Sequence, residues 1–164
     1  MTQESVVREP EPSTMLEEKI ERVFDVGAGA QVEVSIENVN GPVEVRGWDE
    51  PRVVIRVVKQ ATSQSSLDAT KIEIEQTGQR IAARTRIDDV VGGLLHWLGM
   101  GHKPAKVFYE VSAPRQSATI AQTVNGGIVL AALTNRAEGK TVNGSVSLAD
   151  ASGDVRAKSV NGSI

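Results

Sequence analysis

Polar and apolar residues alternate along most of this chain with the period of a strand rather than of a helix. Gln31-Val32-Glu33-Val34-Ser35-Ile36-Glu37 puts Val32, Val34 and Ile36 on one face of an extended segment. Asn40-Gly41 supplies a turn, and Val43-Glu44-Val45 resumes the alternation up to Gly47 and an exposed-looking Trp48-Asp49-Glu50-Pro51 corner. The run RVVIRVVK over 52–59 is apolar between its arginines and predicts a strand buried on both faces. Residues 61–69 read as a polar loop. Residues 71–76 and 79–87 flank Thr77-Gly78 and predict a hairpin. Further strands are expected over 106–112, ended by Pro114, and over 118–123. Near the start, Thr14-Met15-Leu16-Glu17 fits a helix capping box, with Leu16, Ile20 and Val23 at helical spacing. Ile20, Phe24 and Val26 fit one face of a strand, and the strand is the expectation because all that follows is β.

A repeat overlies this alternation. Val-Asn-Gly occurs at 39–41, 124–126, 142–144 and 160–162, the last three spaced by 18 residues. The units are VNGGIVLAALTNRAEGKT and VNGSVSLADASGDVRAKS, followed by VNGSI. The second unit halves again, VNGSVSLAD over ASGDVRAKS, with a turn dipeptide before each short strand. In the first unit Asn135 stands where the second glycine would fall, and Asn tolerates the left-handed backbone that Gly supplies. Eighteen residues suit one flattened coil of two strands and two turns, stacked at about 4.8 Å. Val124, Val142 and Val160 would then lie over one another. Asn125, Gly126, Asn143, Gly144, Asn161 and Gly162 would form a structural turn ladder, its amides bonding from coil to coil. The expected fold is all-β: a β-solenoid of 18-residue coils at the C-terminal end, preceded by antiparallel strands and hairpins. It reads as one continuous domain, with a disordered leader over 1–18, a β-rich portion over 19–123 and repeats over 124–164 that break off partway through a coil.

Composition agrees with strands and removes several functions. There are 23 Val and 10 Ile against 8 Leu in 164 residues, which speaks against a helical bundle. A net charge of −3 without basic clustering argues against nucleic acid as a partner, and 3% aromatics leave little for base or sugar stacking. With no Cys there is no disulfide, thiolate metal site or Cys nucleophile. The N-terminus shows no signal-peptide pattern, and no apolar run approaches the roughly 20 residues of a membrane span. His96 and His102 stand six apart with no acid between them, unlike a metalloprotease pair. Asp150 and Asp154 have no counterparts in the preceding unit, so calcium at the turns is not expected. Asp49-Glu50 and Asp88-Asp89 are adjacent, and neighbouring strand residues point to opposite faces. Gly27-Ala28-Gly29 lacks the third glycine and the helix of a dinucleotide site. No catalytic residue, cofactor or metal is expected. One apolar insertion, at 90–105, remains. It either folds back over an open sheet end or offers a partner the side chains of Leu94, Leu95, Trp97, Leu98 and Met100.

The Val-Asn-Gly-x-[Ile/Val] units, the stretch Val43-Glu44-Val45-x-Gly47-Trp48-Asp49 and the step Tyr109-Glu110-Val111-Ser112-Ala113-Pro114 together resemble the bacterial putative-adhesin β-strand repeat proteins. The resemblance runs from about Lys19 to Ile164. It implies a β-solenoid head on an envelope-associated or exported chain, and it brings no catalytic or binding residues with it. The chain departs from that pattern in its apolar insertion and in lacking a visible export signal. The expected function is a non-enzymatic structural or adhesive one at a bacterial envelope, presenting a surface to an unknown protein or surface partner. A membrane-linked regulatory or sensory domain that docks a protein partner is the alternative. A homo-oligomer through the open C-terminal edge or the 90–101 insertion is a further expectation.

Overall fold

The computed structural model describes residues 15–87 and 105–164. In chain order its elements are β1 (Leu16–Asp25), β2 (Glu33–Glu37), β3 (Val43–Trp48), β4 (Arg52–Ala61), α1 (Gln64–Ala69), β5 (Thr70–Thr77), β6 (Arg80–Ile87), β7 (Lys106–Pro114), β8 (Ala118–Asn125), β9 (Ile128–Ala131), β10 (Ala137–Asn143), β11 (Val146–Ala149) and β12 (Val155–Asn161). They form two six-stranded sheets. The first runs β1-β4-β7-β3-β9-β11 and the second β12-β10-β8-β2-β6-β5. The inward residues of both meet in one core, where Val34, Ile36 and Ile81 of the second sheet join Val43, Val45, Ile55 and Val111 of the first. Alternation places them there. Along β2, Val34 and Ile36 are fully buried while Glu33 and Glu37 reach solvent.

The expected β-solenoid is not what forms. The sheets are mixed and face each other as a sandwich-like pair with no closed coil. β1, β4 and β7 are antiparallel neighbours, as are β5 and β6, while the remaining pairs are parallel. The 18-residue repeat governs only the last part of the chain. Upstream, β1 and β4 pair antiparallel along ten residues, about twice the side of a nine-residue half coil, although β2 and β3 lie between them in the chain. Within the repeats the chain crosses from one sheet to the other at every strand. Eighteen residues is therefore the register between parallel neighbours: Thr119 lies opposite Ala137 and Ala137 opposite Val155, while Ile128 lies opposite Val146.

Three local readings also change or resolve. The ambiguous first segment is a strand, with Ile20 and Phe24 packed on the core. The stretch read as a polar loop holds α1, whose first turn is capped by the Ser63 hydroxyl accepting from Ser66 N at 3.2 Å. Its last turn is held from outside. The buried Lys59 Nζ donates to the carbonyls of Leu67 (3.1 Å) and Thr70 (2.8 Å) and pairs with Glu18 at 2.7 Å. Asn135 does not take a left-handed backbone. Its amide donates to Gln116 O at 3.0 Å, and the left-handed residues of these loops are Ala132 (φ 58°), Asp150 (φ 51°) and Gly153 (φ 86°).

Glycine sets how closely the repeats stack. A Cβ on Gly126 would overlap the carbonyl oxygen of Gly41, and one on Gly144 would overlap that of Gly126. Gly126→Ala is therefore expected to cost about 3 kcal/mol through forced displacement of backbone. Ala132 carries left-handed strain that glycine would relieve, so Ala132→Gly is expected to gain about 0.5 kcal/mol after its own entropy cost. Urea midpoints at constant m-value compare the two. Equal midpoints for Gly126→Ala and the parent chain would refute the close-approach account.

Candidate interaction surface

The four Val-Asn-Gly segments lie in one column, in the order 39–41, 124–126, 142–144, 160–162. Gly41 N donates to Asn125 O (2.7 Å), Gly126 N to Asn143 O (3.0 Å) and Gly144 N to Asn161 O (3.1 Å). Side-chain amides run in the same direction: Asn143 Nδ2 donates to Asn125 Oδ1 at 2.8 Å and Asn161 Nδ2 to Asn143 Oδ1 at 2.9 Å. Gly126, Gly144 and Gly162 each supply the close contact with the segment before.

A further residue belongs to each unit. The one preceding Val-Asn-Gly points inward and holds the carbonyl of the neighbouring segment. Thr123 Oγ1 donates to Gly41 O (3.0 Å), Thr141 Oγ1 to Gly126 O (2.9 Å) and Ser159 Oγ to Gly144 O (2.7 Å). Asn38 does this work for the first copy, donating to Val107 O at 2.8 Å and Gly41 O at 3.1 Å. The working unit is thus [Thr/Ser/Asn]-Val-Asn-Gly. Hydroxyl residues recurring at 123, 141 and 159 were the available signal, and Asn38 concealed it in the first copy.

In the last three units the valine side chain takes no part in holding the column and turns outward beside the exposed asparagines. Val124, Val142 and Val160 are 40%, 40% and 63% exposed on β8, β10 and β12. Two residues earlier on the same face, Gln122, Lys140 and Lys158 lie opposite one another, with Glu37 beside Gln122. These residues line an open groove of about 390 Å³. Lys140 lies 3.7 Å from the nearly buried Glu138, which also meets Arg136 at 3.7 Å. No carboxylate lies within 4 Å of Lys158 among the described residues. Two lysines directly opposite on neighbouring strands repel; Lys140 is offset by Glu138, while Lys158 leaves positive charge beside the apolar stripe.

Beneath the column is a buried polar chain. Asn38 Oδ1 accepts from Thr85 Oγ1 at 3.0 Å. Because Thr85 has spent its one proton there, it accepts from the Tyr109 hydroxyl at 2.8 Å. Burial pushes the Tyr109 phenol up to about 12.

The five apolar residues proposed for a partner, Leu94, Leu95, Trp97, Leu98 and Met100, lie outside the described residues, as do His96, His102, Asp88 and Asp89. Asp49 is held by Arg115 at 2.8 Å, Glu50 lies 3.9 Å from Arg52, and Asp154 is bound by Arg156 at 3.3 Å. Among the described residues no group of three or more His, Cys, Asp or Glu could hold a metal ion. None of the described helices is long and apolar enough to cross a membrane.

No family model and no curated protein matches this chain. Solved structures do resemble it. A putative cell adhesion protein from Clostridium sporogenes is 8% identical with a TM-score of 0.47, covering 90% of this chain and 98% of its own. A putative adhesin from Bacteroides fragilis is 9% identical at a TM-score of 0.37, covering 87% of this chain and 97% of its own. A putative lipid binding protein from Parabacteroides distasonis is 12% identical at 0.33, covering 88% of this chain and 59% of its own. At these scores the likeness carries no functional argument.

The phenol beneath the column gives a pH test. Its folded pKa, about 12, lies above the unfolded value near 10, so the neutral form is favoured by folding. That stability is fully present below pH 10 and is lost as the pH rises towards 12, on the order of 2 kcal/mol in all. Tyr109→Phe is expected to cost about 1 kcal/mol at pH 7 and to flatten this part of the alkaline slope. Parallel slopes for the two chains between pH 10 and 12 would contradict it.

Proposed function

We propose that this protein is a non-enzymatic β-repeat module in a structural or adhesive role at a bacterial envelope, presenting the outer face of its second sheet to a surface partner. The observation that carries this reading is the column of Val124, Val142 and Val160 beside Lys140 and Lys158. Single exposed valines are ordinary, but three in register form a continuous stripe. Fold stability does not call for valine there, since the inward hydroxyls, the asparagines and the glycines already hold the column. The lysines select what meets the stripe: a surface that offers anionic groups alongside apolar ones. An open groove that runs across β8, β10 and β12 suits an extended partner better than a small solute. The place at the envelope is supported by the resemblance of the repeats to the β-strand repeat proteins.

Sedimentation of the fluorescently labelled chain with isolated bacterial envelopes tests this, with Val142→Ser/Val160→Ser and Lys140→Glu/Lys158→Glu as comparison chains. These positions are solvent-facing, so circular dichroism spectra are expected to stay unchanged. Retention is expected to fall at least fivefold for each pair, and retention of the parent chain to weaken with salt. Equal retention of all three chains would remove this face as the contact. No retention of the parent chain would remove the envelope role.

A further inference from the structure

Strand β1 (LEEKIERVFD) is an edge of the first sheet, paired with β4 alone among the described residues. Its register on β4 sets which way each side chain faces. Ile20, Arg22 and Phe24 lie opposite Val57, Ile55 and Val53, all fully buried, and Glu18 lies opposite the buried Lys59. These four and Leu16 therefore face inward, while Glu17, Lys19, Glu21 and Val23 face out.

Reversed about Ile20, this strand complements itself. An antiparallel pair of two copies in that register sets Ile20 against Ile20, Leu16 against Phe24 and Glu18 against Arg22 on the inward side. On the outward side Lys19 meets Glu21. The two-fold axis gives each unlike pairing twice, and opposite charges directly across a ladder are favourable. Neighbouring registers lose this match. A slip of one residue puts inward side chains against outward ones. Centring the pair on Lys19 sets Glu17 against Glu21, and centring it on Glu21 sets Glu17 against Asp25.

Inward charges ordinarily blunt an edge, because an apolar strand cannot lie beside them. Here they select the strand that can. Glu18 binds Lys59 at 2.7 Å, whereas Arg22 donates to Glu21 O at 3.2 Å and has no carboxylate within 4 Å among the described residues. A second copy supplies one, its own Glu18.

The second sheet has an edge on the same side. β5 faces β1 across an open groove of about 600 Å³, with Ile20 and Arg22 on one wall and Ile72 and Ile74 on the other. The three isoleucines pack on the core yet are only half-buried. An axis at Ile20 normal to the sheets passes through this groove, so a second copy closes it with the same isoleucines. β5 then runs antiparallel to its own copy. Lys71 faces Glu73 if the axis crosses at Ile72, and Glu75 if it crosses at Glu73.

We infer that this chain forms a two-fold dimer through β1, its axis at Ile20 and normal to both sheets. The same patch serves on both copies, so the contact is isologous and closes at two. The outer faces of both second sheets then point the same way, and the dimer does not depend on what those faces meet.

Sedimentation equilibrium across a range of concentrations tests this on the full chain, on Lys19→Glu and on Glu21→Lys. Both side chains are exposed, so circular dichroism spectra are expected to match the parent. The parent mass is expected to rise with concentration and level off at twice 17.5 kDa. Either substitution turns two attractive pairs into two repulsive ones and is expected to weaken the dimer about tenfold. An equal mixture of the two variants restores unlike charges at both outward positions and is expected to recover the parent's affinity. Because the chain has no cysteine, thiols give an independent reading of the axis. Mild oxidation is expected to link two copies of Ile20→Cys, while Val23→Cys, opposite Glu17, stays unlinked. A monomeric parent, a mass that climbs past two copies, or variants that dimerise like the parent would each overturn the inference. So would a mixture no tighter than its components, or linkage at position 23 in preference to 20.

Discussion

The rest of the structure depends on how closely backbone approaches backbone along the column of glycines 41, 126, 144 and 162. At each step the carbonyl of one glycine occupies the space where the next residue's Cβ would be. That contact fixes the spacing of successive segments, and the spacing aligns everything else in the repeat. Main-chain donors meet carbonyls of the neighbouring segment, amides of asparagines meet end to end, and inward hydroxyls reach the glycine carbonyls. All of these bonds satisfy polar groups at the point where the chain leaves one sheet for the other. Glycine is required because the site is crowded, and the hydroxyl and amide are required because it is polar.

The column also explains how a chain with two kinds of topology makes a single core. Its first member sits between β2 and β3, in the part of the chain that leads to the antiparallel strands, and it stacks directly on a member that belongs to the repeats. Asn38 closes the upper end by bonding Val107 O, and through Thr85 it is tied to Tyr109 on β7. A polar chain thereby links both sheets at the level where parallel and antiparallel pairing meet. A buried network is stabilising only when each member is satisfied. Here Asn38 uses both amide atoms and Thr85 both its proton and its oxygen.

Much of the strand content was legible because period-two alternation is a local signal. β2, β3, the β5–β6 hairpin and β8 follow from it directly. The architecture was not legible, because an 18-residue repeat describes the register between neighbours and says nothing about whether the chain around it closes into coils. β4, ten residues long and paired with β1 and β7, decides that question through long-range pairing. α1 was missed because six residues cannot form a stable helix alone, and Lys59, which holds its end, comes from β4. The outward valines were visible as a repeat, yet their exposure depends on which face of β8, β10 and β12 the column turns to solvent. The five apolar residues of the insertion, the clearest candidates in the sequence, lie outside the described residues.

Regular stacking has a consequence for how such a surface can recognise anything. Each position of the repeat becomes a column on the sheet, so chemistry is assigned by column rather than by a convergent pocket. One column is valine and the next is Gln122, Lys140 and Lys158, while inward columns are constrained by the core and by the glycine carbonyls. Change in an inward position disturbs the stacking of its neighbours, whereas change in an outward one alters a single rung and leaves the scaffold intact. Affinity on such a face is the sum of many weak and similar contacts, so it depends on how many rungs a partner covers. A surface of that kind discriminates extended partners by the spacing and sign of their groups, and a fold that lengthens its sheets strand by strand has a direct means of adjusting that discrimination.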